Sequence, residues 1–212
     1  MPLKKYFLVI LAVFLFDSGV ASAAVVDFQF AGTVTYGGSL AAIGSQITGT
    51  FSYDTDTLPS STAAGYASYA FTAPFGFSAS VDGHTVVTNN MNVSIWDNFG
   101  GNAEDMVFIS GYPATVDGTY YPNGTFGFRL ASAPGNTNIL TSTALPTSFN
   151  VAAFDAGPTL NYGWLQSDGA PGGTLLQFSI DSVVVPLPTA FIMMASGMLA
   201  IGGMFWRSSK RA

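Results

Sequence analysis

The chain has 212 residues, of which 49% are hydrophobic and 8% charged, with no cysteine and a formal net charge of −6. Five of its six basic residues sit near the two ends, so residues 24–185 carry Arg129 alone against eleven carboxylates, for a net −10. That balance excludes nucleic acid and anionic lipid as partners of this part, since both demand clustered Lys and Arg, and without disulfides the fold must stand on its hydrophobic core.

The first residues read as an export signal. Lys4 and Lys5 form a basic start, residues 6–16 an apolar core of 11, and Ala21-Ser22-Ala23 an A-x-A cleavage site. Eleven apolar residues are too few to span a bilayer. Residues 1–23 are therefore expected to be a signal peptide, with the mature chain beginning at Ala24. Residues 24–185 then form one domain with room for a sizeable core.

That domain alternates with a period of two almost throughout. Val26, Phe28 and Phe30 share one face, and Asp27, Gln29 and Ala31 the other. The run continues through residues 33–36 to Gly37-Gly38, a turn signal. Ile47, Gly49, Phe51 and Tyr53 make a second strand. Residues 54–61 form a polar loop holding Pro59. Tyr69, Phe71 and Ala73 begin a third strand, which Pro74 interrupts. Phe75, Phe77, Ala79 and Val81 resume the alternation as far as Asp82-Gly83, a hairpin turn pair. Strands follow at 84–87, 91–96, 106–110, 125–130, 148–154 and 175–185, about nine in all. No useful helical periodicity lies between 24 and 185. These short strands and turns predict an all-β fold, an antiparallel two-sheet sandwich of jelly-roll type. The first and last strands, near Phe28 and Phe178, are expected to be neighbours, because domain termini often lie close together.

Three groups of residues are candidates for chemistry. His84 is the single histidine and stands beside the Asp82-Gly83 turn. One His and no Cys do not build a zinc centre, and no G-x-S-x-G elbow accompanies it, so a surface turn residue is the expectation. Asp54 and Asp56 form one acidic loop, and Asp97, Asn98, Glu104 and Asp105 another. Oxygen ligands on loops suit calcium, and Asp54, Asp56, Glu104 and Asp105 are the candidate ligands of a structural ion. The competing expectation is turn chemistry, in which Asp and Asn bond their own backbone, with no cofactor at all. Paired carboxylates of this kind also serve glycoside hydrolysis, but sequence spacing does not set their separation. Trp96, Tyr112, Tyr120, Tyr121, Tyr162 and Trp164 fall at strand ends or loops. Such amphipathic rings beside Asp and Asn are what sugar-binding surfaces use, or else ordinary core and rim. The Asn92-Val93-Ser94 and Asn123-Gly124-Thr125 sequons carry no expectation of glycans.

The last 28 residues run from Val185 to Ala212. They comprise a proline-stiffened segment, Val185-Pro186-Leu187-Pro188-Thr189, then 17 residues without charge, then Arg207, Lys210 and Arg211. As a helix the apolar run is about 25 Å long, the short end of what crosses a bilayer. A C-terminal transmembrane helix is expected, with the basic residues on the cytoplasmic side. The tripartite order resembles the PEP-CTERM class of bacterial sorting signals, in its VPLPA-type form. Val185, Pro186, Leu187 and Pro188 match that form, and Thr189 stands where Ala is usual. The commonest form of the class has Glu between the prolines, and Leu187 departs from it. The phrases Gly49-Thr50-Phe51-Ser52-Tyr53-Asp54 and Ala144-Leu145-Pro146-Thr147-Ser148-Phe149 also resemble stretches in uncharacterised ectodomains that carry this signal.

The resemblance implies an exosortase-type membrane protease as partner, a transient stay in the inner membrane and removal of the hydrophobic tail. It further implies export to the cell surface or extracellular matrix of a Gram-negative bacterium, tied to exopolysaccharide or biofilm. A plain tail anchor, never cut, is the alternative for residues 186–212. Two functions are open: a non-enzymatic surface or matrix protein acting through structure or interaction, and a carbohydrate-binding module. A line of coplanar exposed rings favours the second, and a fully buried aromatic set the first.

Overall fold

The computed structural model describes residues 25–38, 40–99, 104–154, 157, 160–168 and 173–186. The cleavage site at Ala21, Ala23 and Ala24, the transmembrane segment, and Leu187, Pro188, Thr189, Arg207, Lys210 and Arg211 lie outside them. Among the described residues no helix is long and apolar enough to cross a membrane.

The fold is all-β. Among the described residues thirteen strands run as β1 (Val25–Tyr36), β2 (Gln46–Asp54), β3 (Ser61–Ala63), β4 (Tyr66–Phe71), β5 (Phe77–Val81), β6 (His84–Thr88), β7 (Met91–Phe99), β8 (Glu104–Gly111), β9 (Ala114–Val116), β10 (Thr119–Tyr121), β11 (Thr125–Ala131), β12 (Tyr162–Gln166) and β13 (Thr174–Val184). All pairings are antiparallel, in the order β10-β9-β6-β5-β2-β1-β13-β12-β11-β8-β7-β4-β3. The alternation in the sequence is realised directly. Phe28, Phe30, Val34, Ile47, Phe51 and Tyr53 all point inward and are buried.

Two separate sheets are expected from the sequence, and the structure has one hydrogen-bonded sheet. It nonetheless folds over on itself. In a flat ladder β5 and β11, five steps apart, would be about 24 Å from each other. Instead the Phe77 and Phe126 rings stand 5.3 Å apart, and Phe51 of β2 is 5.6 Å from Phe128 of β11. The bend follows from the seam. The β1–β13 ladder shifts register at Ala31/Gly32 and again at Val34/Tyr36, and bulges of this kind bend and twist a strand. At the far side only Tyr112 and Pro113 separate β8 from β9, which carries the chain from one half of the sheet to the other. The first and last strands are indeed partners, with Phe30 opposite Val183 and Val34 opposite Phe178.

The strand expected at 148–154 is not one. Val151–Ala153 is a single 3₁₀ turn, and residues 133–154 contain no strand. The apolar residues that suggested alternation pack as a plug instead. Leu145 and Phe154 are buried, and the Phe149 ring lies 5.1 Å from Phe28. Three polar anchors hold the plug. The Tyr53 hydroxyl donates to the Pro146 carbonyl and the Tyr69 hydroxyl to that of Thr143. Asp105, fully buried, accepts from the backbone N–H groups of Ile139 and Leu140, both at 2.9 Å, and from that of Asn98 at 3.0 Å. Burial raises the Tyr53 hydroxyl well above the ordinary tyrosine value, so this anchor stays protonated and able to donate.

Candidate functional site

An antiparallel sheet with one face on the core normally turns a polar face to water. Here the outer face of β4, β7, β8, β11 and β12 departs from that rule. Inward residues on these strands are Ala67, Tyr69, Met91, Val93, Ile95, Val107, Ile109, Phe126, Phe128 and Leu165, all in the core. Their alternating neighbours therefore face outward, and five of those are aromatic. Tyr66 is 5.1 Å from Trp96, Trp96 is 6.4 Å from Phe108, Phe108 is 5.0 Å from Trp164, and Trp164 is 5.7 Å from Tyr162. The rings form one unbroken row across the strands. Tyr66, Trp96, Phe108 and Tyr162 are half-buried, and Trp164 is 7% exposed. Register explains the deep seat of Trp164, which sits opposite Gly127, a position with no side chain to displace it.

The charge at the row is equally specific. Arg129, the one cation of residues 24–185, stands opposite both Phe108 and Tyr162. Its Nε donates to the Leu160 carbonyl at 2.8 Å, and its guanidinium lies 5.2 Å over the Tyr162 ring. Beside the rings, Ser68, Asn92 and Ser94 make a hydrogen-bonded cluster, with Asn92 Nδ2 donating to Ser68 Oγ at 3.0 Å. The amide of the first sequon is thus already engaged. On the same side of the row, beyond Trp164, Thr125 donates to Gln166 Oε1.

Three of the six aromatics nominated from the sequence, Trp96, Tyr162 and Trp164, come together in this row. Tyr112 and Tyr120 do not: they are exposed at the β8–β9 corner and on β10, with Tyr121 half-buried nearby. Sequence reasoning missed Tyr66 and Phe108. Phe108 sits in the unbroken apolar run 106–109, and two apolar faces on one strand are the signal that one of them is turned outward. The rings are tilted by 36° to 83° from neighbour to neighbour, so the row is continuous but not coplanar.

The carboxylates nominated for calcium are dispersed. Asp54 closes β2 and takes the Asp56 N–H at 2.9 Å, a local turn bond. Glu104 and Asp105 open β8 and point to opposite faces, as strand neighbours must. Both Asp105 oxygens already hold backbone N–H groups. Among the described residues no group of three or more His, Asp or Glu side chains is placed to share a metal ion.

His84 lies where two hairpins meet. Asp82-Gly83 and Asp117-Gly118 both take positive φ, the conformation of tight two-residue hairpin turns. His84 Nδ1 is 2.5 Å from Asp117 Oδ2, and Asp117 also takes the Thr85 N–H at 2.8 Å. The ring's partner is a carboxylate on the solvent side, which suits a clasp between turns. The His84 bond, then the Thr85 N–H, holds the Asp117 carboxyl below its ordinary value of 3.8; Ser45, then the Ala42 N–H, does the same for Asp82. A carboxyl lowered in the folded state adds stability above its unfolded value, and that stability is lost as pH falls through the folded value. Melting temperature should therefore hold steady down to about pH 5 and drop below pH 3.8, with a shallower acid fall in Asp117→Asn. Identical acid limbs in the variant and the wild type would show that the clasp contributes nothing.

A cavity of about 530 Å³ opens within the plug, lined by Asn136, Asn138, Leu140, Ser148, Asn150 and Phe154 among others. None of its described lining residues is charged. Comparison with protein-family models, with curated proteins and with solved structures finds no match for this chain.

Proposed function

We propose that this is an exported, non-enzymatic surface or extracellular-matrix protein, delivered by a PEP-CTERM-type sorting system and acting through interaction. The observation that carries the reading is the join between domain and tail. The last strand ends at Val184, and Val185, 43% exposed, and Pro186 leave the ladder. The proline motif thus begins where the sheet stops. Two prolines fix φ and remove two N–H groups, which keeps the segment extended and open to a protease. Residues 190–206 hold the chain in the inner membrane as a transmembrane helix, with Arg207, Lys210 and Arg211 inside. The domain itself is read as a jelly-roll-like sandwich, its layers being the two facing halves of the folded sheet.

An exosortase-like enzyme is expected to cut between Val185 and Thr189. Mass spectrometry of the protein from cells that hold the enzyme should find a product lacking Phe191 to Trp206. Changing Pro186 and Pro188 to Ala should leave the full-length chain in the inner membrane. A wild-type chain ending at Ala212 in such cells would point to a plain anchor and sink the reading. The second reading, a carbohydrate-binding module, draws on one observation, the outer aromatic row, whose rings are continuous but neither coplanar nor fully exposed.

A further inference from the structure

The geometry points to a docking track for an uncharged polysaccharide, laid across β4, β7, β8, β11 and β12 over Tyr66, Trp96, Phe108, Trp164 and Tyr162. This deepens the carbohydrate reading by giving it a place and a ligand class. The row crosses five strands, about 19 Å at the usual strand spacing. That length contacts several consecutive sugar rings of one chain. Sugar rings present C–H faces to aromatic rings and hydroxyls to their sides, and the row meets the first need along its length and the second along one side. Tyr66, Trp96, Phe108 and Tyr162, all half-buried, supply the apolar floor, and the buried Trp164 joins Phe108 to Tyr162. By register the Ser68–Asn92–Ser94 cluster and the Thr125–Gln166 pair lie along the same side of the row; Ser68 and Ser94 are buried, and Asn92, Thr125 and Gln166 are its half-buried uncharged donors and acceptors.

Charge selects within glycans. A domain at −10 repels a polyuronate, and its single cation is turned toward Tyr162 and the Leu160 carbonyl. An uncharged chain has no such penalty. Area argues against a protein partner. The row is one to two residues wide, which over its length makes roughly 150–250 Å², far below the ~800 Å² per partner of a stable protein interface. A narrow track suits a narrow ligand.

The test is affinity electrophoresis and co-sedimentation of the full chain in detergent with cellulose, chitin and a soluble β-glucan. Alginate serves as the charged arm, with light scattering for oligomeric state. The expected result is retention by at least one neutral glycan and none by alginate. Trp96→Ala and, independently, Tyr66→Ser should weaken it about tenfold, the size of one lost aromatic contact. Tyr120→Ala, on the far edge, should match the wild type. Retention that survives both row variants while they keep the wild-type melting temperature overturns the track but leaves a carbohydrate-binding module standing. Retention by no neutral glycan, or by alginate alone, overturns the ligand class, and the sorting reading is judged separately by its own mass spectrum. A dimer that Trp96→Ala converts to monomer assigns the row to a second copy and overturns the proposal.

Discussion

Phe51→Ala should cost the fold about 3–5 kcal/mol, the usual range for truncating a buried Phe. Phe51 is 2% exposed and touches rings on both halves of the sheet. It stacks on Phe28 at 4.9 Å within its own half, lies 5.3 Å from Phe77, and meets Phe128 edge-on at 5.6 Å across the interior. Losing it removes apolar burial and opens a void exactly between two layers that otherwise hold each other by such contacts. Neighbouring side chains are themselves wedged, so the gap collapses poorly, which places the cost toward the upper end. Urea denaturation reads it directly. A loss under about 1 kcal/mol would mean that the interior repacks freely and that the ring cluster is not what holds the halves together.

Asp105→Ala should be comparably damaging, at about 3–5 kcal/mol, for a different reason. It strips three backbone N–H groups of one acceptor, and each buried donor left unpaired costs about 1–3 kcal/mol. The upper sum is not reached because water can serve the more exposed Asn98 end. The loss should also be local. Amides of Ile139 and Leu140 should exchange with solvent much faster, since the plug loses its anchor on β8. Asp105→Asn, which keeps one acceptor oxygen, should fall between the two. A variant with wild-type stability and unchanged protection at 139 and 140 would remove Asp105 from the role given to it here.

These two residues show what could be read in advance. Phe51 was legible because strand periodicity is a local property: Ile47, Gly49, Phe51 and Tyr53 declare a shared face within seven residues. The same logic identified the inward sets of β1, β5 and β7 and the hairpin at Asp82-Gly83. Asp105 was read as a candidate calcium ligand, because a carboxylate in an acidic loop looks alike whether it faces a cation or a set of amides. Its three partners lie 7 to 35 residues away in the chain, and no local pattern names them. The segment 148–154 misleads for the related reason that Phe149, Val151 and Ala153 alternate well enough for a strand while having no ladder to join. The aromatic row stands between these cases. Its members were visible as aromatics, but their union depends on the register of five strands, and only pairing reveals that Trp164 lies over Gly127 and next to Phe108.

The pairing of β1 with β13 also sets an order of events. A chain emerges from its first residue, yet the strand beginning at Val25 must wait for the one ending at Val184. Closing so long a loop is slow and entropically costly, and contacts this distant put the domain among the slow-folding topologies. Until β13 arrives, β1 exposes one bare hydrogen-bonding edge, and β12 exposes another. Both are the kind of edge that captures a neighbouring chain. Insertion of the last long strand joins the halves and hides two edges in one step. Val184 is followed immediately by the proline segment, so the final stitch of the sheet is made by the residues next to the tail.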